Sequence, residues 1–468
     1  MAGAAALTLL VATPLLPMTD LPQHEAQVAL WQRLGAPGWE GAARLRLNWL
    51  TPYLGGTLAA GALAAFLSIP LAFRVLVAAG ALALPLSLTS LIRRAGGDPW
   101  WALLGLPFAF GLPFAWGFYN FALALPLLVW SLAFSVSWIE HGRRAEGWAL
   151  AGLTASCLLG HLLAWGFVVG CGVLMALTAP GLERRARLGR IAPYLVGVPP
   201  AAAWLVVTWL TNPMVSLPTI WRLDPWARAC ALPEALTGPG PHAWVSLAAL
   251  AALGLASQGV VGQPWRWVPL AAALGLWFLG PARLGGTHYA CERFAPLILP
   301  GLLLVLRPRA GGRSLLAGRA LLALLAVSSP LALLPRWRAL AQEKRDLMSA
   351  TAAVESGRLY AFVAQRRIEG LAGEVAGNLP LLIQVERDVW VDYSFCRSFP
   401  SFVRLREQEP WAHDPFVQSR SPEYDWLLVR LDRDPVPVFP RLFPGWSPAA
   451  QAGSWWLYRR ADPRAERR

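Results

Sequence analysis

WWALLGLPFAFGLPFAWGFYNFALALPLLVWSLAFSVSW, from Trp100 to Trp138, carries no acidic or basic side chain anywhere along it. About 20 apolar residues in a helix cross the ~30 Å hydrocarbon core of a bilayer. The stretch is too long for one crossing and too apolar for a soluble surface. Pro107, Pro113 and Pro126 interrupt it. Proline cannot donate a backbone hydrogen bond, so groups freed nearby need other partners when no water is at hand. The run is therefore expected to hold a re-entrant or broken segment followed by a full crossing.

The rest of the chain agrees with this beginning. Of 468 residues, 56% are hydrophobic and only 15% charged, against about 25% charged in a soluble domain. Mean hydropathy is +0.44. Apolar runs also cover Met1–Pro17, Pro52–Phe73, Val75–Leu91, Trp148–Ala179, Ile191–Leu210, Trp244–Val261, Trp267–Gly280, Phe294–Leu306 and Leu315–Leu334. Trp148–Ala179 is expected to form a tight pair of helices turning at Gly160–His161. Met1–Pro17 has no basic start and no small-residue cleavage site, which favours a first crossing over a signal peptide. The sum is an α-helical polytopic membrane protein of about 11 transmembrane helices over residues 1–335. A C-terminal α/β extracytoplasmic domain is expected over residues 336–468. In that tail a helix is expected over Arg338–Arg367 and strands over Leu379–Val385, Tyr424–Leu431 and Ser454–Arg459, where β-branched and aromatic residues gather.

The net charge of +14 rests on arginine, with Lys344 the only lysine. Arginines in short loops between apolar runs act as topology determinants, so no nucleic-acid partner is implied. Arg143–Arg144, Glu183–Arg190, Arg266 and Arg307–Arg313 are expected on the cytoplasmic side. That puts the N-terminus in the cytoplasm and the C-terminus outside. Arg93 and Arg94 fall outside on this count, against the trend. The loops Met18–Asn48, Thr211–His242 and Ala282–Arg293 share the outer face. The five cysteines show neither metal spacing nor a disulfide framework.

Chemistry-bearing residues collect in those outer loops. In TDLPQHEAQ, Thr19 to Gln27, Thr19 or Asp20 can cap a helix with Pro22 in its first turn. Asp20 and His24 then lie four apart on one face, with Glu25 beside them. A carboxylate and an imidazole so placed can share a proton or a divalent metal ion, Mg or Mn. They can equally serve only to order the loop. Asp224 lies between Trp221 and Trp226, whose rings can anchor at the interface or stack on a sugar. His161 is an ionisable group inside an apolar run, or a residue that closes a turn. His288 and Arg293 lie in RLGGTHYACERFAP, and Arg293 opens an apolar helix where a guanidinium can hold a lipid phosphate or pair with Glu292. Asn120 more simply bonds helix to helix.

Taken together, DLPQH (Asp20–His24), GFYNFALALP (Gly117–Pro126), GHLLAWGF (Gly160–Phe167), ERFAPLILP (Glu292–Pro300) and YDWLLVR (Tyr424–Arg430) make the chain resemble the GT-C fold glycosyltransferases. The resemblance implies transfer of a sugar of hexosyl type from a polyprenyl-phosphate donor on the outer face of a bacterial inner membrane. In that family a first-loop carboxylate acts as base or metal partner, and Asp20 matches its position. Leu21 follows where a paired acid is common, so His24 or Glu25 would have to substitute. By the same resemblance Arg293 would hold the donor phosphate, and Trp221 or Trp226 would flank the sugar. A transporter or lipid flippase needs polar groups lining a midplane path, and few occur. A non-catalytic assembly protein presenting the tail is the other alternative.

Overall fold

A computed structural model describes residues 10–36, 39–211, 218–238, 242–284, 287–308, 313–368, 374–392, 394–398, 400–407, 424–439 and 443–461. The start of the first crossing, parts of the loops after Thr211 and Ala282, the middle of Arg307–Arg313, and Pro440 lie outside the described residues. The chain divides into two compact units. One holds Met1–Val11, Leu50–Ala59 and Arg74–Leu333; the other holds Ala12–Trp49, Ala60–Phe73 and Leu334–Arg468. The polar stretch that carries Asp20 thus belongs with the tail.

The first unit is helical: α1 (Ile69–Ala95, from Arg74 on), α2 (Tyr119–His141), α3 (Arg144–Gly160), α4 (Leu162–Thr178), α5 (Val198–Thr211), α6 (Pro225–Thr237), α7 (His242–Ala256), α8 (Val268–Leu279), α9 (Ile298–Val305) and α10 (Arg313–Leu331). Side-chain neighbours fix its two ends. At one end Arg94 meets Glu146 at 3.4 Å, Arg266 meets Glu140 at 2.6 Å and bonds the carbonyl of Ala95, and Arg319 meets Asp98 at 3.0 Å. Trp138 lies under Arg190 there. At the opposite end Gly55 packs on the carbonyl of Leu159, and His161 meets Tyr53 and Phe121.

Arg93 and Arg94 therefore join the other arginines, which corrects the expected placement. The reason lies in the count. From Gly55 at one end to Arg94 at the other, the chain makes an odd number of traverses, so Pro52–Phe73 and Val75–Leu91 are not two crossings. Leu54–Leu63 spans only about 15 Å at 1.5 Å per residue. The compensating traverse is the broken segment. Asp98 pairs with Arg319, Gly105 packs on Pro85, and Trp116 stacks on Tyr289 near the far end. Pro99–Ala115 thus runs back along α1 in short helical pieces, and α2 follows as the full crossing.

The expected helix pair is present. Gly147 packs on Trp138, Cys157 faces Ser131 and Gly160 packs on Ala124, so α3 runs antiparallel to α2. Tyr194 then bonds Ser135 at 2.8 Å and packs on Gly172, which brings α4 back. Gly301 packs on Leu270, so α8 and α9 form a similar antiparallel pair. Among the described residues, four helices are long and apolar enough to cross a membrane: Ile69–Ala95, Tyr119–His141, Arg184–Thr211 and Gly318–Ala350. Helix length supports four crossings and does not reach the expected eleven.

The second unit is built on a five-stranded sheet: β1 (Ser356–Val363), β2 (Asp388–Val391), β3 (Trp426–Arg430), β4 (Trp446–Ala452) and β5 (Trp455–Arg460), in the order β4-β5-β3-β1-β2. β1 is parallel to both its neighbours, and β5 is antiparallel to β3 and β4. The expected strands Tyr424–Leu431 and Ser454–Arg459 match β3 and β5. The expected helix Arg338–Arg367 ends instead at Ala350, because Leu359–Val363 is β-rich and Gly357 sits at φ +99° before it. Leu379–Val385 is a helix from Leu381 to Glu386, not a strand; Pro380 precedes its first turn, and Leu381, Leu382 and Ile383 are all buried. Helix Leu334–Ala350 packs on the sheet, where Glu343 takes a two-pronged bond from Arg430 at 2.7 and 3.2 Å and another from the Trp455 indole at 3.0 Å.

The shared end of the arginines is open to test. In protein with Cys230 replaced by serine, single cysteines at Arg93 and at Arg143 should react with an impermeant thiol reagent from the same side of the membrane. Labelling from opposite sides would restore the two-crossing count over Pro52–Leu91.

Candidate functional site

In the second unit, Asp20 stands at the N-terminus of helix Leu21–Leu34, with Pro22 in the first turn. Its side chain does not cap the helix. Instead Oδ1 accepts a bond from the amide of Asn378 at 3.0 Å, and the same amide bonds the carbonyl of Thr19 at 2.9 Å. Gln23 completes the contact, donating to Asn378 Oδ1 at 3.0 Å and accepting from the backbone of Phe395 at 2.8 Å. Gln27 accepts from the backbone of Val403 at 2.8 Å. The buried polar face of this helix is thus read by backbone and amide groups of the tail. Glu25 is buried; His24, half-buried, meets the edge of Phe395 at 5.7 Å. Among the described residues no three His, Cys, Asp or Glu side chains gather as a metal site.

In the first unit the structure brings Arg293, His161 and His288 together. Arg293 sits in the short helix Glu292–Leu297 that leads into α9. Its guanidinium carbon lies 3.6 Å from the centre of the Phe118 ring. Nη1 is 3.3 Å from His161 Nε2, and Nη2 donates to the carbonyl of His288 at 3.5 Å. A cation held over an aromatic face gains about 0.5–2 kcal/mol, more as water is excluded. His161 is buried between α3 and α4, in extended backbone at φ −164°, and caps α4 by accepting from the backbone N–H of Leu163 at 3.1 Å. Tyr53 and Phe121 press their edges on its ring at 5.0 and 5.1 Å. The field of Arg293 reaches Tyr53 as well.

His288 contributes its carbonyl; the imidazole itself is exposed. Partial desolvation and the nearby Arg283 lower its pKa. Tyr289, next in the chain, is the one described non-glycine residue at positive φ, +54°, and lies against Trp116 at 4.3 Å. Asn120 is buried at the start of α2, facing Gly56.

Asp224 has a structural task. It caps α6 by accepting from the N–H of Ala227 at 2.9 Å. Arg228, buried on the same helix, bonds the carbonyls of Arg222, Trp277 and Gly280 and so closes the end of α8. Trp221 and Trp226 are 57% and 78% exposed, the disposition of interfacial anchors. Sequence reasoning missed Tyr53, Phe118 and Asn378. Phe118 and Tyr53 are aromatics among many, and nothing in GNLP (Gly377–Pro380) marks Asn378 as the partner of a residue far back in the chain.

No family model matches the sequence, and no curated protein does. Solved structures do. The arabinofuranosyltransferase AftD from Mycobacteria matches with a TM-score of 0.53 at 15% identity, over 98% of this chain and 39% of that one. A point variant of the same transferase matches at 0.54 and 16%, over 98% and 41%. The chain therefore spans about two fifths of the length of the proteins it matches. At such identity what is shared is the fold, and a GT-C-like architecture is what the resemblance in the sequence implied.

The cap at Asp224 gives a direct measurement. Asp224→Ala should destabilise the purified protein by about 1 kcal/mol, while Asp224→Asn should leave thermal stability unchanged, because Asn caps as well as Asp. Equal loss in both variants would show that the carboxylate charge, not the cap, is what matters there.

Proposed function

We propose that the chain is a membrane glycosyltransferase, or the GT-C-like portion of one. Its donor is a sugar on a polyprenyl phosphate, met at the outer face of a bacterial inner membrane. The observation that carries the proposal is Arg293: a permanent cation, braced on Phe118, at the end of the helical unit opposite its cluster of arginine ion pairs. The arginine-rich end is the cytoplasmic one on the positive-inside rule. Nucleotide sugars are not expected outside the cytoplasm, so a lipid has to deliver the activated sugar. The fold shared with a membrane arabinofuranosyltransferase supports the same class of reaction.

The chemistry is a displacement. An acceptor hydroxyl oxygen attacks the anomeric carbon, and the bond from that carbon to the phosphate oxygen breaks. The electron pair leaves on polyprenyl phosphate, and the hydroxyl proton passes to a base. Negative charge grows on the leaving phosphate, where a fixed guanidinium stabilises it. Asp20 is the proposed base, held by the Asn378 amide at one oxygen. The two roles rest on separate grounds and are tested separately.

Transfer is to be measured with purified protein and lipid donors, beginning with polyprenyl-phosphate arabinofuranose and continuing to hexoses. Asp20→Asn should fold normally and lose about a hundredfold in rate or more, the size of a general-base contribution; normal turnover would remove Asp20 from the chemistry. Arg293→Lys keeps the charge and loses the planar fork. It should weaken donor binding about tenfold with stability intact, whereas undiminished binding in Arg293→Ala would end the phosphate role.

A further inference from the structure

ARLRLN at Ala43–Asn48 and VRLR at Val403–Arg406 share the pattern Arg-Leu-Arg. In the second unit they pair as an antiparallel ribbon, Leu45–Leu47 against Val403–Leu405. The register sets Leu45 opposite Leu405, Leu47 opposite Val403 and Arg46 opposite Arg404. One step further the backbone N–H of Arg406 donates to the carbonyl of Arg44 at 2.9 Å, so a second arginine stands against an arginine. Side chains alternate across a strand. One face turns inward: Leu45, Val403 and Leu405 are buried. The other carries four arginines, with Arg44, Arg46 and Arg406 exposed and Arg404 half-buried. Residues two apart on a strand are about 6.8 Å apart, and opposed residues about 5 Å. The four side chains therefore root at the corners of one small patch. The ribbon beneath them is held in place. Gln27 accepts from the N–H of Val403 at 2.8 Å, and the N–H of Asn48 donates to the carbonyl of Phe402 at 2.7 Å.

Burying the leucines asks only for polar residues on the outer face. Four arginines go beyond that and work against the fold, since like charges directly opposite destabilise a strand pair. Burial, and then the charge of Arg46, lower the pKa of the Arg404 guanidinium. No acidic residue occurs within Gly41–Asn48 or Ser401–Arg406; Glu40 and Glu407 lie outside both arms. Nor do these arginines set topology. Arg44 and Arg46 precede the apolar run that begins at Pro52, at the end opposite the arginine ion pairs, where the positive-inside rule disfavours basic residues. We propose that the arginine face is a docking surface for the phosphate headgroups of an anionic lipid leaflet. An arginine takes a phosphate through a planar fork that lysine lacks, and all four positions are arginine. The first arm runs on into Trp49, 58% exposed, with its ring set edgewise on Phe402 at 5.1 Å. Tryptophan so placed is typical of a membrane–water boundary. Six residues separate Arg46 from Pro52, so the chain tethers the ribbon within about 20 Å of the apolar run. Anionic headgroups attract basic side chains that come within a Debye length, about 8 Å at physiological salt. The docking holds whether or not the chain transfers a sugar, since the partner is the leaflet itself.

The test uses the full chain in lipid nanodiscs, with Cys230→Ser and Ala43→Cys. Ala43 is exposed beside the ribbon and carries a fluorophore in this protein. Lipids with a nitroxide on the headgroup quench the fluorophore when the ribbon docks. Quenching should be stronger in phosphatidylcholine mixed with phosphatidylglycerol than in phosphatidylcholine alone. Replacing two of the exposed arginines, Arg46→Gln with Arg406→Gln, should cut that gain about tenfold or more, because each basic side chain near an anionic surface strengthens the attraction severalfold. Thermal stability should hold or rise, since opposed like charges are relieved. Salt at about 0.5 M, where the Debye length is about 4 Å, should remove the gain with all four arginines in place. Equal quenching in the two lipid mixtures overturns the proposal. So does a gain that survives in the double glutamine variant or at high salt. If the variant does not fold, the salt dependence decides alone. No quenching gain, together with polygalacturonate bound by the native ribbon and not by the glutamine variant, would give the face to an acidic glycan and overturn the lipid assignment.

Discussion

A guanidinium keeps its proton at any pH a cell meets, so an arginine in an apolar helical bundle must be given a partner, a carbonyl or water. Much of the first unit can be understood as the consequence. Arg94, Arg266 and Arg319 gather at one end with Glu146, Glu140 and Asp98. Arg228, buried, spends its donors on three backbone carbonyls at the close of α8. Arg293 is placed otherwise: an aromatic ring beneath it, a carbonyl on one arm, and the His161 imidazole on the other. The first two solutions are self-contained. The third turns one arm toward an imidazole instead of a carboxylate or a carbonyl.

Much of the helical unit was legible because hydropathy reports which segments avoid water. The interruption of Trp100–Trp138 by three prolines, and the turn at Gly160–His161, follow from backbone chemistry that is local. Pro52–Leu91 was misjudged for the opposite reason. Two apolar runs read as two crossings, but the end at which each begins is set by Gly55 against Leu159 and by Arg94 against Glu146, contacts between residues far apart in sequence. The same limit hid the partner of Asp20. Capping chemistry made an Asp before Leu-Pro the natural helix cap, and the structure turns its side chain to Asn378 instead. Leu379–Val385 failed on a smaller point, since LPLLIQV suits a buried helix as well as a strand and only Pro380 tips the balance.

His161 shows how one residue can be placed correctly and understood only in part. Its position in an apolar run admitted either a site or a turn. The structure shows the turn: Nδ1 holds the first turn of α4, and Nε2 faces the guanidinium of Arg293. A rigid ring with unlike nitrogens on two edges can serve two directions at once.

The left-handed Tyr289 has a further meaning. A tyrosine at φ +54° pays about 1 kcal/mol or more that glycine would not, and its ring is held against Trp116. Glycine in its place would relax the backbone and multiply the shapes open to the segment between His288 and Arg293. A ligand would then have to freeze those shapes as it arrived, at an entropic cost of roughly 1–2 kcal/mol for each residue ordered. Strain borne by the backbone is, on this view, ordering done in advance, and its loss would first be felt as a weaker hold on whatever the loop touches.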